Sequence, residues 1–246
     1  MKKEVKIRNL KNSSLRDNED MPVIDYIDKI NKGDTITFLE VGSGECRFVE
    51  KLKEKYANIK ITCIEINPKL ADIAQKLGCT VINSDFLKVQ LDQKYDIVHC
   101  SHVIEHFSYP AIVNVLETLI AAVAPGGRLI IRSPLIDDKD TWNFYGNIDH
   151  IKPYPPEAIQ NYFNMTQQQK QGHAEIEIEH LWYRTSPKQL ETLSTWHLLY
   201  GLKIFRKIFN FGIRFTNRVF QFLWNRYRWP STRPHGYVLF MKIIHT

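Results

Sequence analysis

A chain of 246 residues with 43% hydrophobic side chains can bury the core of one α/β domain with insertions, so a single domain over residues 1–246 is expected. No run is apolar enough to span a bilayer, Met1 to Ser14 is basic with no apolar stretch behind it, and Cys46, Cys63, Cys79 and Cys100 lack Cys-x-x-Cys spacing; a membrane span, a secretory leader and a disulfide framework are not expected, and the chain is expected in the cytosol. The net charge of +6 is uneven: between Thr192 and Thr246 there are basic residues and no Asp or Glu, so this stretch carries about +9 and the rest about −3.

In chain order, residues 1–20 are charged and without periodicity, and read as an arm. Pro22 to Lys32 predicts a short helix with Val23, Ile24, Ile27 and Ile30 on one side, closed by Gly33. Strands and helices then alternate: strand Thr35–Val41, helix Glu45–Tyr56, strand Ile59–Ile66, helix Pro68–Leu77 closed by Gly78, strand Thr80–Asn83, strand Tyr95–Ser101, helix Ala111–Val123, and strand Arg128–Ser133 after the Pro125-Gly126-Gly127 turn. This rhythm predicts a parallel, doubly wound α/β sheet. Beyond it, Pro155–Phe163 reads as a helix, Ala174–Tyr183 as a half-exposed strand and Gly236–Ile244 as a final strand, with residues 186–235 inserted between the last two.

The first strand runs into Glu40-Val41-Gly42-Ser43-Gly44, and the second ends on Glu65. Two glycines permit a tight turn and close approach of backbone to a ligand, and an acid about 20 residues on can accept hydrogen bonds from ribose hydroxyls. A dinucleotide site would want a third glycine where Arg47 stands. A carboxylate at Glu40 suits a cationic ligand instead. After the third strand comes Ser84-Asp85-Phe86, and after the fourth, which is Tyr95 to Ser101, comes Val103-Ile104-Glu105-His106; Pro125-Gly126-Gly127 precedes the fifth.

In this order and spacing the series resembles the class I S-adenosylmethionine-dependent methyltransferases, over the stretch from Glu40 to Ile131. The resemblance implies a Rossmann-like doubly wound sheet of seven strands, mostly parallel, with an antiparallel terminal hairpin, and S-adenosylmethionine as cofactor. It implies that Glu40, Gly42, Ser43 and Gly44 shape the methionine-side pocket, that Glu65 with Ile66 holds the ribose, that Asp85 and Phe86 meet the adenine, and that Ser101 faces the methionine part. For Asp85 the alternative is a cap on the following turn.

Methyl transfer to a hydroxyl requires removal of a proton, a task histidine suits near neutral pH. His106, following the fourth strand, and His150, in Asn147-Ile148-Asp149-His150, are the candidate bases, with Glu105 or Asp149 to orient an imidazole. Structural hydrogen bonding is the alternative for each. His102 to His106 also matches the His-x-x-Glu-His of one zinc-protease class. Tyr109-Pro110 limits any helix there to about one turn, and no carboxylate cluster accompanies the histidines, so no metal is expected.

From Leu202 to Trp229 the polar positions Lys203, Arg206, Lys207, Asn210, Arg214, Asn217, Arg218, Gln221, Asn225 and Arg228 form one helical stripe opposite an aromatic-rich apolar face. Basic amphipathic patterning without acids suits an anionic membrane surface through residues 196–230; a homodimer interface and nucleic-acid binding are the competing readings. The expected function is methyl transfer to a hydroxyl of a small-molecule, glycan or lipid-linked acceptor at the cytosolic face of a membrane. An RNA or protein methyltransferase, or a catalytically idle scaffold on the same fold, are the alternatives.

Overall fold

The computed structural model describes residues 15–31, 33–136, 144–169, 175–185 and 234–244. The chain divides into two units, one of residues 1–7, 13–184 and 235–246, the other of residues 8–12 and 185–234. The basic insert of 186–235 and the segment 196–230 lie outside the described residues, apart from the start of the last strand.

The elements are α1 (Leu15–Ile30), β1 (Ile36–Val41), α2 (Arg47–Lys55), β2 (Ile59–Ile64), α3 (Pro68–Lys76), β3 (Thr80–Ile82), β4 (Tyr95–Ser101), α4 (Ala111–Ala121), β5 (Val123–Pro134), α5 (Pro156–Gln169), β6 (Glu175–Thr185) and β7 (Pro234–Ile244). They build a seven-stranded sheet of order β3-β2-β1-β4-β5-β7-β6. Strands β1 to β5 pair in parallel, and β7 runs antiparallel to β5, with Ile131 opposite Leu239. No helix among the described residues is long and apolar enough to cross a membrane.

Central strands buried on both faces need continuous apolar sequence. Leu39, Val41, Val98, Cys100, Leu129 and Ile131 pack under α4 and α5; Phe38, Ile61, Ile97 and Ile130 pack under α1, α2 and α3. Helix α4 meets its face through Ile112, Val115, Leu116 and Leu119, the i, i+3, i+4, i+7 stripe of an amphipathic helix. Burying each such side chain contributes about 1.5–3 kcal/mol. Helix α3 is capped at both ends: Asn67 Oδ1 accepts the Lys69 N–H at 3.0 Å, and beyond its last turn Gly78, at φ +73°, places the Cys79 N–H on the Ala74 carbonyl at 3.1 Å.

Helix α5 runs on from Phe163, its expected end, to Gln169, and β2 stops at Ile64, two residues short of its expected end; two further boundaries differ for a tertiary reason. Helix α1 begins at Leu15 and runs through Pro22, so residues 15–20, read as part of an arm, are helical. An interior proline removes one helical hydrogen bond at a cost of about 3 kcal/mol, and what offsets it is tertiary. Asp20, buried in α1, takes Arg132 of β5 at 2.8 Å and Lys51 of α2 at 2.7 Å, while Val23 and Ile27 are fully buried. Strand β5, expected from Arg128, starts at Val123. The register passes from Tyr95↔Val123 to Ile97↔Arg128, so the Pro-Gly-Gly turn is a bulge within the strand. Gly127 is required there because a Cβ would lie 2.9 Å from both the Ala124 and Asp96 carbonyl oxygens.

A second polar tie joins α1 to β6. Arg128 donates to Glu179 at 3.3 Å, and the Tyr26 hydroxyl also donates to Glu179. Burial, with the Glu179 carboxylate adding, pushes the Tyr26 phenol up from its ordinary value, so it remains a donor.

Replacing Asp20 by Ala leaves the largely buried Arg132 guanidinium without this carboxylate. We expect a loss of about 3 kcal/mol in urea denaturation at unchanged m-value. A loss under about 1 kcal/mol would mean that Asp20 does not hold α1 to the sheet.

Candidate functional site

The strand order reverses direction between β1 and β4, and in an open α/β sheet ligands bind in the crevice beyond the carboxyl ends of the strands at such a point. Val41 of β1 pairs with Ile64 of β2 and Cys100 of β4, so the turns after the three strands leave the sheet side by side. Gly42 sits at φ +74°, its N–H held by the Ile64 carbonyl at 2.9 Å, and a Cβ there would lie 2.5 Å from Val103 Cγ2. The turn after β1 and the turn after β4 are therefore in contact, and only glycine allows it. Gly44 at φ +52° and Cys46 at φ 59° complete the reversal, closed by the Cys46 N–H on the Ser43 carbonyl at 2.9 Å.

Glu65 stands at the carboxyl end of β2 and is 6% exposed. The Gly44 N–H donates to its Oε2 at 2.9 Å and the Asn67 N–H to its Oε1 at 2.9 Å. Ile66 beside it is 67% exposed, and the Asn83 amide donates to the Glu65 carbonyl at 2.6 Å, tying the end of β3 to this turn. Asp85 Oδ1 accepts the Leu87 N–H at 3.1 Å and so caps the single turn Phe86–Lys88, with Phe86 buried in the core. The capping alternative for Asp85 is thus realised in its geometry.

Glu40, two residues before Gly42, is tied to the neighbouring strand. Its carboxylate meets His99 Nδ1 at 2.7 Å, both groups buried, with the Phe48 ring 4.9 Å from the imidazole. Sequence reasoning missed His99, although a signal was present: a lone histidine in an apolar strand, on the face that Glu40 occupies in the paired strand. His99 Nε2 is buried without a hydrogen-bond partner.

Ser101, the last residue of β4, is half-buried, and His102 after it adopts φ 54°, strained for a side chain of this kind, with its N–H on the Arg132 carbonyl at 2.9 Å. Ile104–His106 forms one 3-10 turn, the short helix that the zinc-protease reading could not accommodate. Glu105 is fully buried. Its Oε2 accepts from Ser133 Oγ at 3.2 Å; its Oε1 lies 3.3 Å from His102 Nδ1 in a direction that makes no hydrogen bond. The loop carrying His150 is fastened to this turn, since the Ile151 and Lys152 N–H groups both donate to the Glu105 carbonyl, at 2.9 and 3.2 Å. His106 and His150 consequently stand with ring centroids 5.1 Å apart. His106 Nδ1 lies 3.0 Å from the Asp149 carbonyl oxygen and 3.6 Å from its carboxylate, so an Nδ1–H donated to that carbonyl leaves the Nε2 lone pair available. Burial, with Glu105 adding, raises the nearby Cys100 thiol well above its ordinary value, which keeps it a neutral core residue.

The residues inferred from sequence thus fall into three groups, with Glu40 on β1 beside them. Gly42, Ser43, Gly44, Glu65 and Ile66 belong to the turns after β1 and β2; Ser101 ends β4, and beyond it come Glu105, which is fully buried, His106 and His150. Asp85 and Phe86 follow β3.

A family model described as a methyltransferase domain matches residues 16–198. An uncharacterized protein of Methanocaldococcus jannaschii is 28% identical over 138 residues, which are 51% of this chain and 36% of that protein's length. Among solved structures, a SAM-dependent methyltransferase from Archaeoglobus fulgidus aligns at TM-score 0.57 and 21% identity over 92% of this chain and 94% of that one. The N-methyltransferase NodS from Bradyrhizobium japonicum WM9, in complex with S-adenosyl-L-homocysteine, aligns at TM-score 0.54 and 11% identity over 93% and 87%. At these identities the two structures show a shared fold.

Gly42→Ala is expected to lower stability by about 2–4 kcal/mol, from the positive φ and the overlap with Val103 together. Adding Val103→Ala removes the overlap but not the backbone strain, so a double-mutant cycle should give a favourable coupling of about 1 kcal/mol or more. Strict additivity would show that the two turns do not touch.

Proposed function

The chain belongs to the methyltransferase-domain family, and from that membership we propose that it transfers a methyl group from S-adenosylmethionine to an oxygen of a small-molecule, glycan or lipid-linked acceptor. The observation that carries the reading is the convergence of the Gly44 and Asn67 N–H groups on the Glu65 carboxylate beside the Gly42 turn. Each of these oxygens accepts one backbone N–H and keeps a second lone pair, so a carboxylate fixed from behind still has capacity for the two hydroxyls of a ribose. A turn with no Cβ at Gly42 lets a ligand lie against backbone, and the exposed Ile66 side chain with Asp85 and Phe86 bounds the adenine side. Glu105, a buried carboxylate in the turn beyond β4, favours positive charge over negative near the strand ends.

When bound, the donor supplies an activated methyl carbon on a positively charged sulfur. What remains for the chain is to align the acceptor, exclude water and help remove the hydroxyl proton. The cluster of Glu105, His106 and His150 is suited to the last task. The Asp149 carbonyl fixes the orientation of the His106 ring. Ser101, at the end of β4, faces the methionine side. Support for an acceptor held at an anionic surface comes from the acid-free, basic sequence after Thr192.

In isothermal titration S-adenosylhomocysteine is expected to bind, and Glu65→Ala to weaken it at least about tenfold, since hydrogen bonds to a charged group contribute about 1.5–3 kcal/mol. Absence of binding by either form of the cofactor, or unchanged affinity in Glu65→Ala, would refute the reading. His106→Ala is expected to lower kcat about 100-fold at unchanged S-adenosylhomocysteine affinity. Full turnover in that variant would remove His106 from the chemistry.

A further inference from the structure

Glu105, His106 and His150 each place one potential ligand atom within 4.8 Å of the other two. The sequence expectation was that no carboxylate cluster accompanied these histidines, and that Glu105 or Asp149 oriented an imidazole. The fold supplies a carboxylate by turning Glu105 inward, and its Oε1 is buried without a hydrogen bond. A fully buried carboxylate with one hydroxyl donor, and a second oxygen that makes no hydrogen bond and has the half-exposed His102 ring 3.3 Å away, is disfavoured unless a cation stands opposite. His150 Nδ1 is likewise buried without a partner. Two orphaned polar atoms beside a third group with a free lone pair are a donor set and not a packing accident.

We propose that Glu105, His106 and His150 bind one divalent transition-metal ion of the borderline class that Zn²⁺ represents. Two imidazoles and a carboxylate select Zn²⁺, Mn²⁺ or Fe²⁺ over Mg²⁺ and Ca²⁺, which require oxygen-rich sites. Ligands at about 2.0–2.1 Å in tetrahedral array stand about 3.4 Å apart; rotation of the two partly exposed histidines closes the remaining gap. The outer partners already match a metal site, where each ligating imidazole donates its other N–H to an oxygen. His106 meets the Asp149 carbonyl in this way. Asn147 lies 3.1 Å from His150 Nε2, and with its amide turned so that Oδ1 accepts an Nε2–H, Nδ1 is left as a lone pair toward the cluster. The backbone bonds from Ile151 and Lys152 to Glu105 hold both sides of the set in place before any ion arrives.

Three protein ligands leave coordination positions open, the arrangement of a catalytic and not a structural ion. Resting on the methyl-transfer reading, the inference gives those positions to the acceptor hydroxyl. On the ion the oxygen releases its proton to solvent more readily, then bonds to the methyl carbon as the carbon–sulfur bond breaks. The histidines then assist deprotonation as ligands instead of as free bases.

The test is a Co²⁺ titration of the full-length, EDTA-treated protein, followed by visible absorption and by competition with Zn²⁺ and Mg²⁺. One equivalent of Co²⁺ is expected to give a d–d band of low coordination number that Zn²⁺ displaces at micromolar concentration and millimolar Mg²⁺ does not. His150→Gln and Glu105→Gln should each weaken binding at least 30-fold. His150→Gln is in a loop at the crevice, so it keeps the test decisive if the buried Glu105 variant fails to fold. Absence of the band, or a band unchanged in His150→Gln, would overturn the site and leave a shared water or proton as the cluster's occupant. S-adenosylhomocysteine titrated into the same samples keeps the two readings apart: cofactor binding without metal overturns only the ion, and metal without cofactor overturns only the methyl-transfer reading.

Discussion

Strand β1 is paired on both sides, with β2 and with β4, in a register that ends all three at one line. The turns that leave these ends must therefore share a narrow strip of space. Gly42 against Val103 is where they touch, and the absence of a side chain at Gly42 permits the approach. Everything assigned to the site depends on that spacing. It brings the Gly44 N–H to Glu65 on one side, and sets the strained His102 and the turn of Glu105 and His106 on the other.

Charge is handled inside this domain by pairing across elements, which is what a buried ionisable group needs. Asp20 with Arg132 and Lys51 fastens α1, Glu179 with Arg128 and Tyr26 fastens β6, and Glu40 with His99 joins two neighbouring strands. Glu105 differs from these: it is fully buried, and its Oε1, 3.3 Å from His102 Nδ1, makes no hydrogen bond. A buried carboxylate so incompletely bonded beside two histidines is a group to associate with chemistry.

Much of this was legible in the sequence because it is local. Apolar runs alternating with helical patterns gave the succession of strands and helices along the chain up to β5, and the bounds of β4 from Tyr95 to Ser101 were read as they stand. Glycine pairs marked the turn after β1, and the acid after β2 was placed correctly at Glu65. What was not legible depends on pairing across distance. Pro22 argued for a helix start, and only the docking of Asp20 on Arg132 explains why α1 continues upstream. The Pro-Gly-Gly segment read as a turn, since nothing local shows that Tyr95 and Asp96 will hold it as a bulge. The pairing of Glu40 with His99 was not legible, because the two lie 59 positions apart in sequence. The joining of Glu105 to His150 depends on a loop more than 40 residues downstream binding back to the Glu105 carbonyl.

In the proposed function, the crevice across the ends of β1, β2 and β4 seats the methyl donor with its reactive end toward Glu105, His106 and His150. A crystal structure of the protein with S-adenosylhomocysteine is the decisive measurement. The ribose hydroxyls are expected on the Glu65 carboxylate, the methionine part beside Gly42 and Ser101, and the sulfur on the side of the two histidines. A ligand seated elsewhere, or one whose sulfur faces away from His106 and His150, would contradict this placement.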